Sequence, residues 1–133
     1  MLADETIRGV GPAEWARRAI ALYHRLEADC IVAETNQGGE MVAAVLRQVD
    51  AKVPVRSVRA GRSKWVRAEP VSLLYEQGRV RHAAHFPALV DEMCDFGREG
   101  LSGGRSPDRV DALVWALTEL LLGRRGEPRV RVL

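Results

Sequence analysis

No stretch of the chain approaches the ~20 consecutive apolar residues that a bilayer span needs, so a membrane-embedded helix is excluded. Met1 to Val10 contain Asp4, Glu5 and Arg8, which leaves no readable secretory leader. A cytoplasmic address is the expectation that follows. Cysteine is scarce: Cys30 and Cys94 lie in apolar surroundings with no metal-ligand spacing, and both are read as reduced core residues rather than a disulfide. There is no internal repeat, no low-complexity block and no Walker motif, so a nucleotide-driven motor is absent from these residues. Lysine is nearly missing as well. Among 20 basic residues only Lys52 and Lys64 are lysines, the others being arginine. That bias is read as the codon usage of a GC-rich genome, although arginine is also the better fork for phosphate. A net charge of only +2 does not by itself announce a nucleic-acid partner.

What remains is a chain of 133 residues, 47% apolar and 29% charged, the balance of one soluble domain with a modest core. Gly11-Pro12 opens a helix whose stripe runs through Trp15, Ala19, Leu22 and Leu26, to about Ala28. Cys30 to Ala33, entering Glu34, reads as a buried strand. After the turn cluster Thr35 to Gly39, a helix carries Met41, Val42, Val45, Leu46 and Val49, and Val55 to Val58 form a second strand. Residues 63–77 are predicted helical with a kink or late start at Pro70, and Arg79 to Ala83 are predicted as a third strand. Phe86 to Phe96 is a short helix, and Gly97 to Arg105 a mobile loop. The final helix starts with Ser106 as its N-cap and Pro107 at its first position, and Val110, Leu113, Val114, Leu117 and Leu121 form its buried face. Strands alternating with helices give an α/β domain over residues 1–122 with a largely parallel sheet, and a loose Arg-rich tail over 123–133.

Three constellations carry possible chemistry. Glu34 ends a buried strand just before Asn36, Gln37, Gly38 and Gly39, the place where open α/β sheets bind ligands. An ordinary polar strand end is the competing reading. Asp108 and Asp111 share a face at the start of the last helix. Helix-dipole complementation accounts for Asp108. Asp111, flanked by Val110, Ala112 and Leu113, borders the core and needs a partner, for which a divalent cation is a natural candidate. Asp91, Glu92 and Asp95 are read as helix-surface charge, and His82 and His85 as structural. The third constellation is Arg56, Arg59, Arg62, Lys64 and Arg67, either a solvated basic face or a set of phosphate-backbone contacts.

Three ordered segments, Ala33-Glu34-Thr35-Asn36-Gln37-Gly38-Gly39-Glu40-Met41, Lys64-Trp65-Val66-Arg67-Ala68-Glu69-Pro70 with Tyr75-Glu76-Gln77-Gly78-Arg79-Val80, and Ser106-Pro107-Asp108-Arg109-Val110-Asp111-Ala112-Leu113-Val114-Trp115-Ala116, resemble the C-terminal nuclease domain of phage terminase large subunits. The proteins of prophages and gene transfer agents are the most similar branch, and the resemblance runs from about Asp4 to Leu122. It implies an RNase H-like α/β fold, a mixed sheet flanked by helices, and metal-dependent cleavage of double-stranded DNA in viral genome packaging. By the same resemblance Glu34 and Asp111 are catalytic, Glu34, Asp108 and Asp111 ligate one or two Mg²⁺ or Mn²⁺ ions, and Lys64 and Arg67 lie near the DNA backbone; Arg59 and Arg62, from the same basic stretch, are expected to bind DNA with them. Asn36, Gln37, Gly38 and Gly39 form the loop beside the site. The implied partners are double-stranded DNA, an ATPase motor, a small terminase and a portal, inside a bacterial host cell and away from membrane. The family's first catalytic Asp sits on a first strand for which these residues show no counterpart, and Asp4 lacks its motif context. The domain is therefore expected to begin near the family's third strand and to expose a sheet edge that favours a homo-oligomer. The alternative is a DNA-binding or assembly remnant without catalysis.

Overall fold

The computed structural model describes residues 1–35 and 40–123. The chain first runs extended to Gly11, without a strand in residues 3–10. Helix α1 spans Pro12–Arg25, with Pro12 at its first turn where a missing N–H costs nothing. Strand β1 (Ile31–Glu34), helix α2 (Glu40–Val49) and strand β2 (Val55–Val58) follow as one βαβ unit. The two strands are parallel, with Ile31 opposite Val55 and Glu34 opposite Val58. Helix α3 is Lys64–Glu76, α4 is Pro87–Asp95 and α5 is Asp108–Leu117, which continues as a π-helical turn over Thr118–Leu122.

Two small cores hold this together. Ala16, Ile20, Leu46 and Val53 join α1, α2 and the start of β2. Val71, Leu89, Val110, Leu113, Val114 and Leu117 join α3, α4 and α5. The helical periods place these residues inward, and α5, with five buried positions in ten residues, also packs on β1. Pro70 lies within α3 without ending it, and both Pro70 and Val66, the residue one turn back whose carbonyl it cannot serve, are exposed.

Several expectations are corrected. Arg79 to Ala83 form no strand; the Arg79 N–H donates back to the Leu74 carbonyl of α3, and beyond it the main chain meets Met1, whose ammonium donates to the Arg81 carbonyl while Ala83 N–H donates to the Met1 carbonyl. A single residue cannot propagate a ladder. Helix α5 starts one residue later than expected, at Asp108 with Pro107 as the cap position, and Ser106 does not cap it. The Val110 N–H is instead satisfied by Glu92 Oε1 at 2.9 Å. Glu92 is thus buried with a structural task, while Asp91 and Asp95 are the surface charges expected of all three. The cysteines are free, but Cys94 is exposed and Cys30 half-buried, so neither belongs to the core. His82 is structural as expected, bonded through Nε2 to the Tyr75 hydroxyl at 2.7 Å. Loop residues Asn36, Gln37, Gly38 and Gly39, and the tail from Arg124 to Leu133, lie outside the described residues.

In a strand, N–H and C=O groups alternate sides. Ile31 and Thr35 spend theirs on β2, donating to the carbonyls of Pro54 and Val58, which turns those of Val32 and Glu34 the other way. Among the described residues nothing pairs with that edge. A groove of about 770 Å³ runs beside it, floored by the exposed Ala112 and Ala116 of α5.

Candidate functional site

Helix α3 carries its inward stripe as Lys64, Arg67, Val71 and Leu74, a 3-4-3 spacing that keeps all four on one face. The apolar half of that stripe fills the core against α5. The charged half reaches the first turns of the same helix, where Asp111 precedes Val114 by three residues and shares its buried face. Asp111 is therefore brought to Lys64 and Arg67 by the same periodicity that builds the core.

Both oxygens of Asp111 are engaged by cations. Lys64 Nζ lies 3.0 Å from Oδ2 and Arg67 Nη2 lies 3.0 Å from Oδ1. The Asp111 side chain is 8% exposed and that of Arg67 10%, so this ion pair sits out of water, whereas Lys64 at 35% reaches solvent. Burial of a carboxylate is tolerable only with such compensation. The contact between Arg67 and Oδ1 is electrostatic rather than a formed hydrogen bond, and the guanidinium Nε and Nη1 have no acceptor among the described residues. Its remaining anchor is Trp115, whose ring centre is 4.5 Å below the guanidinium carbon.

Glu34, at the end of β1, approaches the same guanidinium nitrogen as Asp111, its Oε1 3.9 Å from Arg67 Nη2. Two acids 77 positions apart in sequence thus converge on one cation. Asp108 stands at the rim, its Oδ1 3.9 Å from Lys64 Nζ, and the Ser106 hydroxyl accepts from Nζ at 2.8 Å. The structure brings together Glu34, Asp108, Asp111, Lys64 and Arg67. It separates them from Arg59 and Arg62, which are exposed on the approach from β2 to α3. Arg56 turns away to pair with Glu119. The basic stretch is therefore not one face: its first member is tied to the π-helical turn after α5, its middle is solvated, and its last two members are bound to acids.

Among the described residues no three His, Cys, Asp or Glu side chains are preassembled as a metal cage. The donor chemistry nevertheless suits a hard divalent cation, because Glu34, Asp108 and Asp111 offer carboxylate oxygens only, and Asp111 Oδ1 is buried without a hydrogen bond. The sequence expectation that Asp111 needs a partner is met, with Lys64 and Arg67 in that position. Their inward orientation was readable in principle from the α3 stripe, since basic residues replace apolar ones at the same spacing.

Searches of curated proteins and of solved structures return no match. The profile of the terminase RNaseH-like domain matches residues 1–120, which covers both cores, both strands and every residue of the acid cluster. With that match spanning nearly the whole described chain, this protein belongs to the terminase RNaseH-like domain family.

Proposed function

We propose that this chain is a divalent-metal-dependent nuclease domain acting on double-stranded DNA in terminase-driven genome packaging, with Glu34 and Asp111 as its acid pair. The observation that supports this reading is the convergence of Glu34 and Asp111 on Arg67, one acid from a strand end and the other from a buried helix turn. Asp108 would complete the oxygen set at the rim. A Mg²⁺ or Mn²⁺ ion held there would supply Lewis-acid polarisation of a phosphodiester. The chain's own residues do the rest. Arg59 and Arg62, exposed on the approach from β2 to α3, hold the DNA backbone through phosphate contacts. Arg67 is too buried to reach a duplex and instead fixes the separation of the two acids.

The ATPase motor, small terminase and portal are the packaging partners this reading implies, within the cytoplasm of a bacterial host; among the described residues no helix is long and apolar enough to cross a membrane. The unpaired edge of β1 is proposed to accept a second chain by strand addition. Light scattering that reports a monomer at every concentration removes that part.

Plasmid nicking tests the central reading. Nicking that requires Mn²⁺ or Mg²⁺, stops in EDTA and disappears in Asp111→Asn and Glu34→Gln supports it; a folded protein that never nicks refutes it. The complete engagement of Asp111 by Lys64 and Arg67 favours one competitor, a non-catalytic DNA-binding domain. Retention of DNA in EDTA, a steep fall with salt and no cleavage in Mn²⁺ select that alternative.

A further inference from the structure

Lys64 Nζ is surrounded as a bound cation would be. The Asp111 carboxylate lies 3.0 Å away, the Ser106 hydroxyl 2.8 Å and the Asp108 carboxylate 3.9 Å, three oxygens gathered from the first turn of α5 and the residue two before it. A positive charge at a helix N-terminus is opposed by the helix dipole, so these oxygens alone hold it there. We infer that Lys64 is an internal stand-in for a divalent ion, so that ion loading at Asp111 and ejection of the Lys64 ammonium are a single exchange. This inference rests on the metal-dependent reading above and adds the residue that regulates access to the ion.

Lys64 is the exchangeable partner of Asp111, and Arg67 is not. The guanidinium is 10% exposed and lies over Trp115, so its departure would leave a buried carboxylate uncovered. The ammonium is 35% exposed on a flexible four-carbon stem and is readily rehydrated. An ion of charge two at the same point attracts the carboxylates about twice as strongly as the ammonium does, which drives the exchange when the ion is present. In its absence Lys64 keeps Asp108 and Asp111 from repelling one another. The acid cluster therefore remains folded without metal, and the lysine sets a threshold of ion concentration for loading.

The test uses the full chain and two readouts that need no catalysis. Mn²⁺ binding is measured by loss of the free-ion paramagnetic signal in the wild type, Lys64→Met and Lys64→Gln. Both variants bind at least about tenfold tighter, or about 1.4 kcal/mol, and adding Asp111→Asn to either abolishes the gain. Because Lys52 and Lys64 are the only lysines, a side-chain ammonium NMR spectrum contains just two signals. Titration with Mg²⁺ moves the Lys64 signal towards that of the exposed Lys52, which stays fixed as an internal control. Equal, Asp111-dependent Mn²⁺ affinity in the wild type and both variants overturns the exchange while leaving the metal-dependent reading intact. A Lys64 signal unmoved by Mg²⁺ at saturation does the same. Absence of Mn²⁺ binding in every variant overturns both.

Discussion

Removing the Arg67 guanidinium by Arg67→Ala strips one of the two cations from a carboxylate that is 8% exposed. Breaking a buried ion pair from one side costs about 3–5 kcal/mol, because the surviving charge loses compensation that water cannot supply. Here Lys64 still neutralises Asp111 Oδ2 from 3.0 Å, which places the loss near the lower end. The cation–π contact with Trp115 is lost with the same group, so it is contained in that figure rather than added to it. A loss of about 3 kcal/mol is a substantial part of the ~5–15 kcal/mol that holds a domain of this kind together. It corresponds to a fall in Tm of roughly 10 °C. Lys64→Ala is the internal comparison: its side chain is 35% exposed, water replaces most of what it gives, and the expected cost is below about 1 kcal/mol. Urea titration followed by circular dichroism measures both variants. A rescue follows from the same electrostatics. Replacing the pair together, Arg67→Met with Asp111→Leu, recovers much of the loss, because neither charge is then stranded. An Arg67→Ala variant within about 0.5 kcal/mol of wild type, or a Lys64→Ala variant as damaged as Arg67→Ala, refutes the burial argument.

Other perturbations separate other parts of the molecule. Glu92→Ala leaves the Val110 N–H without its buried acceptor and lowers stability by about 1–3 kcal/mol, measured by urea titration, with Asp91→Ala as the silent neighbour. Arg59→Ala combined with Arg62→Ala reduces the slope of log affinity for duplex DNA against log salt by about 2 if each arginine neutralises one phosphate; an unchanged slope in a binding titration removes them from the interface. His82 sits below the ordinary histidine value of 6.5, first through burial and then through the nearby Met1 ammonium. The folded state therefore binds this proton less readily than the unfolded chain, and its contribution to stability, complete above pH 6.5, is lost as pH falls below that value. Melting wild type and His82→Asn between about pH 8 and pH 5 should give the shallower dependence in the variant.

The elements with strong periodicity were legible from residues alone. The βαβ unit, the four helices that precede the last one, and the buried face of α5 all follow from the spacing of apolar residues, with Pro12 marking the start of the first helix. Arg79 to Ala83 looked equally strand-like, because an alternating pattern says a segment suits a pleated surface and nothing about whether a neighbour exists to pair with it. Glu92 departs from its expected surface position for a related reason. Its surroundings on α4 are those of a surface acid, and only the approach of α5 turns it into a buried cap. Ser106 then lost the capping role its type and position suggested and gained Lys64 instead.

Residue type and local spacing were enough for the resemblance to the family and for the need of Asp111, among apolar neighbours, for a partner. Tertiary structure decided which partner that is. Lys64 and Arg67 were legible as part of a basic stretch, but in a stretch they are equivalent to Arg59 and Arg62. The packing of α3 on α5 turns the first pair inward onto Asp111 and leaves the second pair in solvent. Charge is a property of the residue, whereas the direction in which it is spent depends on the helix it must pack against.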